Sequence, residues 1–107
     1  MSVRVLLEPR AHRQFKQIVR WLSDRSPAGA ERWLNAFDDA VEQLERNADG
    51  CELALENSLV NREIRQTHFK TPRGRMYRMV FTIVGSDVRV LAIRGPGQAP
   101  LNRRDLR

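Results

Sequence analysis

The chain has 107 residues, 41% hydrophobic and 30% charged, which is enough apolar material for one packed core but not two, in the proportions of a globular rather than a disordered protein. No stretch approaches the roughly 18 uncharged apolar residues of a membrane helix or signal segment, so a cytoplasmic protein is expected; one cysteine, Cys51, and two histidines, His12 and His68, exclude an internal disulfide and leave too few ligands for a structural metal, so no cofactor is expected. The net charge of +6 is uneven: residues 1–61 hold eight basic and ten acidic side chains, residues 62–107 eleven and three, so a net −2 half precedes a net +8 half suited to phosphate or to an acidic protein segment.

Val3, Val5 and Leu7 alternate with Arg4 and Leu6 before Pro9, which predicts a short strand ended by a residue without a ladder donor. Ala11, Phe15, Ile18, Val19 and Leu22 then fall on one stripe, predicting a helix over residues 9–24 with Trp21 beside the stripe and partly exposed. Ser26-Pro27 is a helix start, a capping hydroxyl followed by a proline for the first turn. The second helix carries Ala30, Trp33, Leu34, Phe37, Val41 and Leu44 on its apolar face and stops at Asn47-Ala48-Asp49-Gly50. So short a link makes the two helices an antiparallel hairpin.

Residues 51–61 show no sustained period and read as a partly ordered connection. Three strands follow, over residues 63–69, 75–84 and 88–94, joined by turns at Thr71-Pro72-Arg73-Gly74 and Gly85-Ser86-Asp87, and they predict an antiparallel meander. In the central strand Tyr77, Met79, Phe81 and Ile83 share the face that needs a cover, and Arg78, Val80 and Thr82 share the other. The helical hairpin is the available cover. The expected fold is therefore a single α+β domain over residues 1–107, β-α-α-β-β-β in two layers, with an exposed arginine-bearing sheet face. In the irregular tail of residues 95–107, Gly95-Pro96-Gly97-Gln98-Ala99-Pro100 cannot form a regular helix or strand, and Leu101 to Arg107 are expected to fray.

Several segments together resemble the RelE/ParE superfamily of type II toxin-antitoxin and plasmid-stabilisation systems: Glu8-Pro9-Arg10-Ala11 after the first strand, the Ser-Pro-Ala-Gly-Ala break at residues 26–30, Glu63-Ile64-Arg65, the strand Tyr77-Arg78-Met79-Val80-Phe81, and the run from Val88 to Arg94. Gly95-Pro96-Gly97-Gln98 lies outside the shared pattern. The resemblance implies a bacterial toxin held inactive by an antitoxin whose extended segment wraps it. It implies one of two targets. RelE-like members are similar to messenger-RNA endonucleases acting on the ribosome, with sheet-face basic residues and a C-terminal Tyr or His; ParE-like members lack that set and are associated with inhibition of DNA gyrase. No Tyr or His occurs in residues 94–107, which favours the ParE-like reading. The alternatives are the endonuclease and a non-toxic nucleic-acid-binding module.

On the endonuclease reading Arg78, with Arg65 beside it across the ladder, would stabilise charge on the scissile phosphate, and His68 is the one histidine of the basic half that can serve as base. A sheet arginine bridged to a carboxylate of a neighbouring strand is the structural alternative for Arg78, and a solvated one for Arg65. Arg94, Arg103 and Arg104 extend the basic surface as expected contacts for target or antitoxin, or else form a solvated terminus. Trp21 is the candidate aromatic contact. Tyr77 belongs to the core face.

Overall fold

The computed structural model describes residues 3–106. Strand β1 (Arg4–Leu7) leads into helices α1 (Pro9–Arg25) and α2 (Pro27–Asn47), and strands β2 (Arg65–Phe69), β3 (Tyr77–Val84) and β4 (Asp87–Arg94) follow. Ser26 ends one helix and begins the next: its N–H donates to the Leu22 carbonyl, and its hydroxyl accepts from Gly29 N–H at 3.0 Å. A one-residue joint of this kind forces the hairpin that the Ser-Pro step predicts.

The sheet order is β1-β4-β3-β2. The last three strands form the expected antiparallel meander, and β1 joins it in parallel beside β4, pairing Val5 with Val88 and Leu7 with Val90. The β3–β4 hairpin turns on Gly85 and Ser86, with φ of +62° at Gly85 and negative φ at Ser86, the pattern of a type II′ turn that needs glycine at its first central position. Between Val80 and Phe81 the β3–β4 register shifts, and Leu91 is the unpaired extra residue of β4. Beyond the end of β1, Gln14 of α1 accepts from the Ile93 N–H at 2.7 Å and replaces the missing strand partner.

The helices cover one sheet face. Their core joins Trp33, Phe37 and Leu44 to Phe69, Met79, Phe81, Val88, Val90 and Ile93, all buried, with Phe15, Val19 and Val41 partly buried against it. Trp33 is the hub of an aromatic cluster, its ring 5.5 Å from those of Phe37, Phe69 and Tyr77. Ile83 departs from the expected burial and is 37% exposed: β2 begins opposite Phe81, so the last residues of β3 are flanked by β4 on one side only.

The second face is not the open surface that the strand alternation predicts. Ala54, Ile64, Val80, Ala92, Leu101 and Leu106 form a second buried cluster there. Its cover comes from two stretches expected to be loose. The connection after α2 folds into short 3-10 turns at Ala48–Gly50 and Leu55–Leu59, and the tail ends in another at Arg103–Leu106. As far as Leu106 the tail is packed rather than frayed, since Leu101 and Leu106 are buried, Arg10 pairs with Asp105 at 2.6 Å, and Arg62 donates to the Leu106 carbonyl at 2.6 Å; Arg107 lies outside the described residues. β3 is consequently buried on both faces from Arg78 to Thr82.

Candidate functional site

Arg78 stands in the middle of the second face, and every donor–acceptor choice around it follows from its burial. It is 9% exposed and Glu56 1%. The two guanidinium nitrogens Nη1 and Nη2 donate to Glu56 Oε1 and Oε2, each at 2.7 Å, a bidentate pair. Nη1 also donates to Gln66 Oε1 at 3.0 Å, and Gln66 Nε2 donates to Glu52 Oε1 at 2.9 Å. The Leu101 N–H donates to Glu56 Oε2 at 2.8 Å, so the same carboxylate ties the tail to the sheet. Burial pushes the Glu56 carboxyl up, but the Arg78 guanidinium and the Leu101 N–H outweigh it and hold the group below the usual carboxylate range.

The expected placement of Arg78 on an exposed face is thus corrected: its own chain supplies the carboxylate. Arg65 is not its neighbour either. Arg65 pairs with Phe81 in the β2–β3 register and faces the helix side, whereas Arg78 is opposite His68. Arg65 is spent locally, donating to the Cys51 carbonyl and to Glu63 Oε2 at 3.0 Å. His68 shares the Arg78 face but is exposed, with Nδ1 3.7 Å from Glu52 Oε1. Arg94, expected as free surface, is half-buried and donates from Nε to the Ala99 carbonyl at 3.1 Å. Arg103 donates to the Leu59 carbonyl at 3.1 Å, and Arg104 is exposed. Glu56 and Gln66, which organise this face, lie outside every candidate set read from the sequence. The available signal was Arg78 itself: an arginine inside an apolar run needs a carboxylate, and Glu56 is the acid set among Leu53, Ala54, Leu55 and Leu59.

Cations without such partners gather at the opposite end of the meander from the Gly85 turn. A cleft of about 1020 Å³ opens between the α1–α2 joint and the β2–β3 turn, lined by Trp21, Arg32, Trp33, Arg73, Arg75 and Tyr77 and by no acidic residue. The turn is held by a Gly74 N–H bond to the Thr71 carbonyl at 3.0 Å, and a Cβ on Gly74 would stand 2.1 Å from Thr71 Oγ1, so glycine permits its closure. Trp21 is 52% exposed, as its position off the stripe predicts, and the Arg25 guanidinium lies 3.7 Å from its ring centroid. A shallower groove of about 580 Å³ runs between α2 and β2, lined in part by Ala36, Ala40, Phe69 and Lys70. β2 is an edge strand, and residues 52–54 pair only with its start, through Leu53 opposite Arg65 and the Gln66 N–H bond to the Glu52 carbonyl.

Among the described residues no three His, Cys, Asp or Glu side chains are grouped to hold a metal, and no helix is long and apolar enough to cross a membrane. The family model for the ParE toxin of the type II toxin-antitoxin system, parDE, matches residues 5–100. No curated protein sequence matches the chain. A solved chain described as the chromosomal ParDE TA system from P. aeruginosa superposes with a TM-score of 0.63 at 16% identity, over 86% of this chain and 94% of that one, a likeness of fold.

Proposed function

Because the chain belongs to the ParE toxin family of type II toxin-antitoxin systems, we propose that it is a cytoplasmic toxin that inhibits DNA gyrase and is neutralised by a cognate antitoxin. The observation that carries this reading is the closed bidentate pair of Arg78 with Glu56. A ribonuclease of this fold needs a free cation at the phosphate and a base within reach of the 2′-hydroxyl. Here the strand arginine is neutralised and buried, Arg65 faces the other side of the sheet, and His68 stands alone of the three in solvent. An inhibitor that works by binding has no need of that constellation.

Neutralisation has a physical route. The edge of β2 beyond residues 52–54 is open and runs beside the groove under α2, where an extended segment can add a strand and seat apolar side chains. The test is a supercoiling assay with purified protein and gyrase beside a cleavage assay on ribosome-bound messenger RNA. Supercoiling should stop and the messenger stay intact, and a small acidic protein encoded next to the gene should restore supercoiling and raise the melting temperature of the toxin. Codon-defined cuts in the messenger with gyrase untouched would overturn the gyrase reading.

A further inference from the structure

Three exposed arginines line one cleft. Arg32, Arg73 and Arg75 are exposed and make no ion pair among the described residues. The walls are aromatic as well as basic. The Arg25 guanidinium lies 3.7 Å from the Trp21 ring centroid, and the indole is still 52% exposed at the cleft. Trp33 also lines the cleft, and its buried indole N–H is the one buried side-chain polar atom lacking a hydrogen-bond partner among the described residues. The volume suits a ligand of nucleotide size or larger.

We propose that this cleft binds a nucleotide unit, its phosphate held by Arg32, Arg73 and Arg75 and its base stacked on Trp21. Guanidinium forks match phosphate oxygens, and a half-exposed indole beside them is the arrangement that holds single-stranded nucleic acid without reading its sequence. A carboxylate-rich peptide satisfies the arginines but gives Trp21 no flat partner. The unit has two sources, a strand of RNA or DNA and a free nucleotide, and both present the same base and phosphate. The inference goes beyond the toxin reading and stands whatever the cellular target is.

The experiment uses the purified full chain and four probes: fluorescein-labelled 12-mer single strands of RNA and of DNA followed by anisotropy, ATP followed by tryptophan quenching, and an oligo-glutamate peptide as competitor. Trp21→Ala should weaken binding about tenfold or more, with Trp21→Phe recovering most of it. For one phosphate held by the three arginines the logarithm of the strand affinity should fall against the logarithm of salt with a slope of about −0.7, and Arg73→Ala/Arg75→Ala should weaken strand binding and flatten that slope. Arg89→Ala, an exposed cation on β4, should change affinity less than about twofold. Because the cleft residues substituted are exposed or half-exposed, unchanged melting temperatures accompany these losses. Strand binding with weak ATP binding identifies the polymer as the source, and equal binding of ATP identifies the free nucleotide. Failure of all nucleotide probes, displacement of a bound strand by oligo-glutamate at equal charge, or losses in the cleft variants no larger than in Arg89→Ala would overturn the proposal.

Discussion

Glu56→Ala tests the organisation of the second face most directly. The substitution removes the acceptor of three hydrogen bonds, two from Arg78 and one from the Leu101 N–H, and leaves a guanidinium buried without its counter-charge. Loss of one partner of a buried pair costs about 3–5 kcal/mol, against a total stability on the order of 5–15 kcal/mol for a chain of this size. With a urea dependence of about 1.5 kcal/mol per molar, the unfolding midpoint should fall by about 2–3 M. Trypsin should also cut sooner after Arg103 and Arg104, because the tail loses its anchor at Leu101. The double variant Glu56→Leu/Arg78→Met removes both charges together and should be no less stable than Glu56→Ala alone, since the stranded charge is gone. A loss below about 1 kcal/mol for Glu56→Ala, or a double-variant loss equal to the sum of those of Glu56→Leu and Arg78→Met made singly, refutes a coupled buried pair.

Phe81→Ala should cost about 3–5 kcal/mol in the same urea titration, since the ring is fully buried under the helical hairpin; a loss under about 1 kcal/mol would mean the core closes without it. Gly85→Ala places a side chain at φ +62° and should cost about 1–3 kcal/mol with no loss of buried area, so the midpoint moves while the urea slope stays constant. Acid should destabilise the fold through Glu56. Its folded carboxyl is held below the ordinary value of about 4.3, so in the interval between the two values the unfolded chain binds more protons, and stability drops as pH falls through it. Glu56→Gln should flatten that part of the stability curve, and a wild-type curve already flat from about pH 5 to 3 would remove the carboxylate from the account.

The helices, the meander and the helix-side core were legible because each rests on a local period: Phe15, Trp33, Phe37 and Leu44 repeat at helical spacing, and Tyr77, Met79 and Phe81 alternate. The turns were legible from Thr71-Pro72-Arg73-Gly74 and Gly85-Ser86. What escaped was non-local. Val80, Ala92 and Ile64 look like the solvent side of alternating strands, and nothing within a window of ten residues says that Leu101 and Leu106 return to cover them. A hint was present in β3 itself, where Val80 and Thr82 leave little polar character on the face opposite Phe81 for a sheet side meant for water. Arg78 misled for the same reason. Its role depends on Glu56, 22 positions earlier in a stretch without period, and a lone arginine in a strand looks the same whether its partner is a phosphate or a carboxylate of its own chain. Trp21 was placed correctly because exposure depends only on its angle from the α1 stripe.

The fate of the arginines also changes what the net +8 of residues 62–107 means. Five of its eleven basic residues act as fasteners, with Arg78 buried, Arg65 and Arg94 half-buried and Arg62 and Arg103 exposed: Arg62 on the Leu106 carbonyl, Arg65 on the Cys51 carbonyl and Glu63, Arg78 on Glu56, Arg94 on the Ala99 carbonyl and Arg103 on the Leu59 carbonyl. Guanidinium suits this work because its donors reach several carbonyls from one stem and it stays charged in a half-buried site. These bonds draw two irregular stretches onto a sheet face that their few apolar side chains would cover poorly alone. Lys70, Arg73 and Arg75 are the cations left exposed around the β2–β3 turn, and Arg32 of α2 joins them from the half of the chain whose net charge is negative. A group of exposed cations without ion pairs among the described residues therefore stands at the turn end of the sheet, beside Trp21 and next to the open edge of β2, whereas the face on which the strand pattern puts Arg78 is covered.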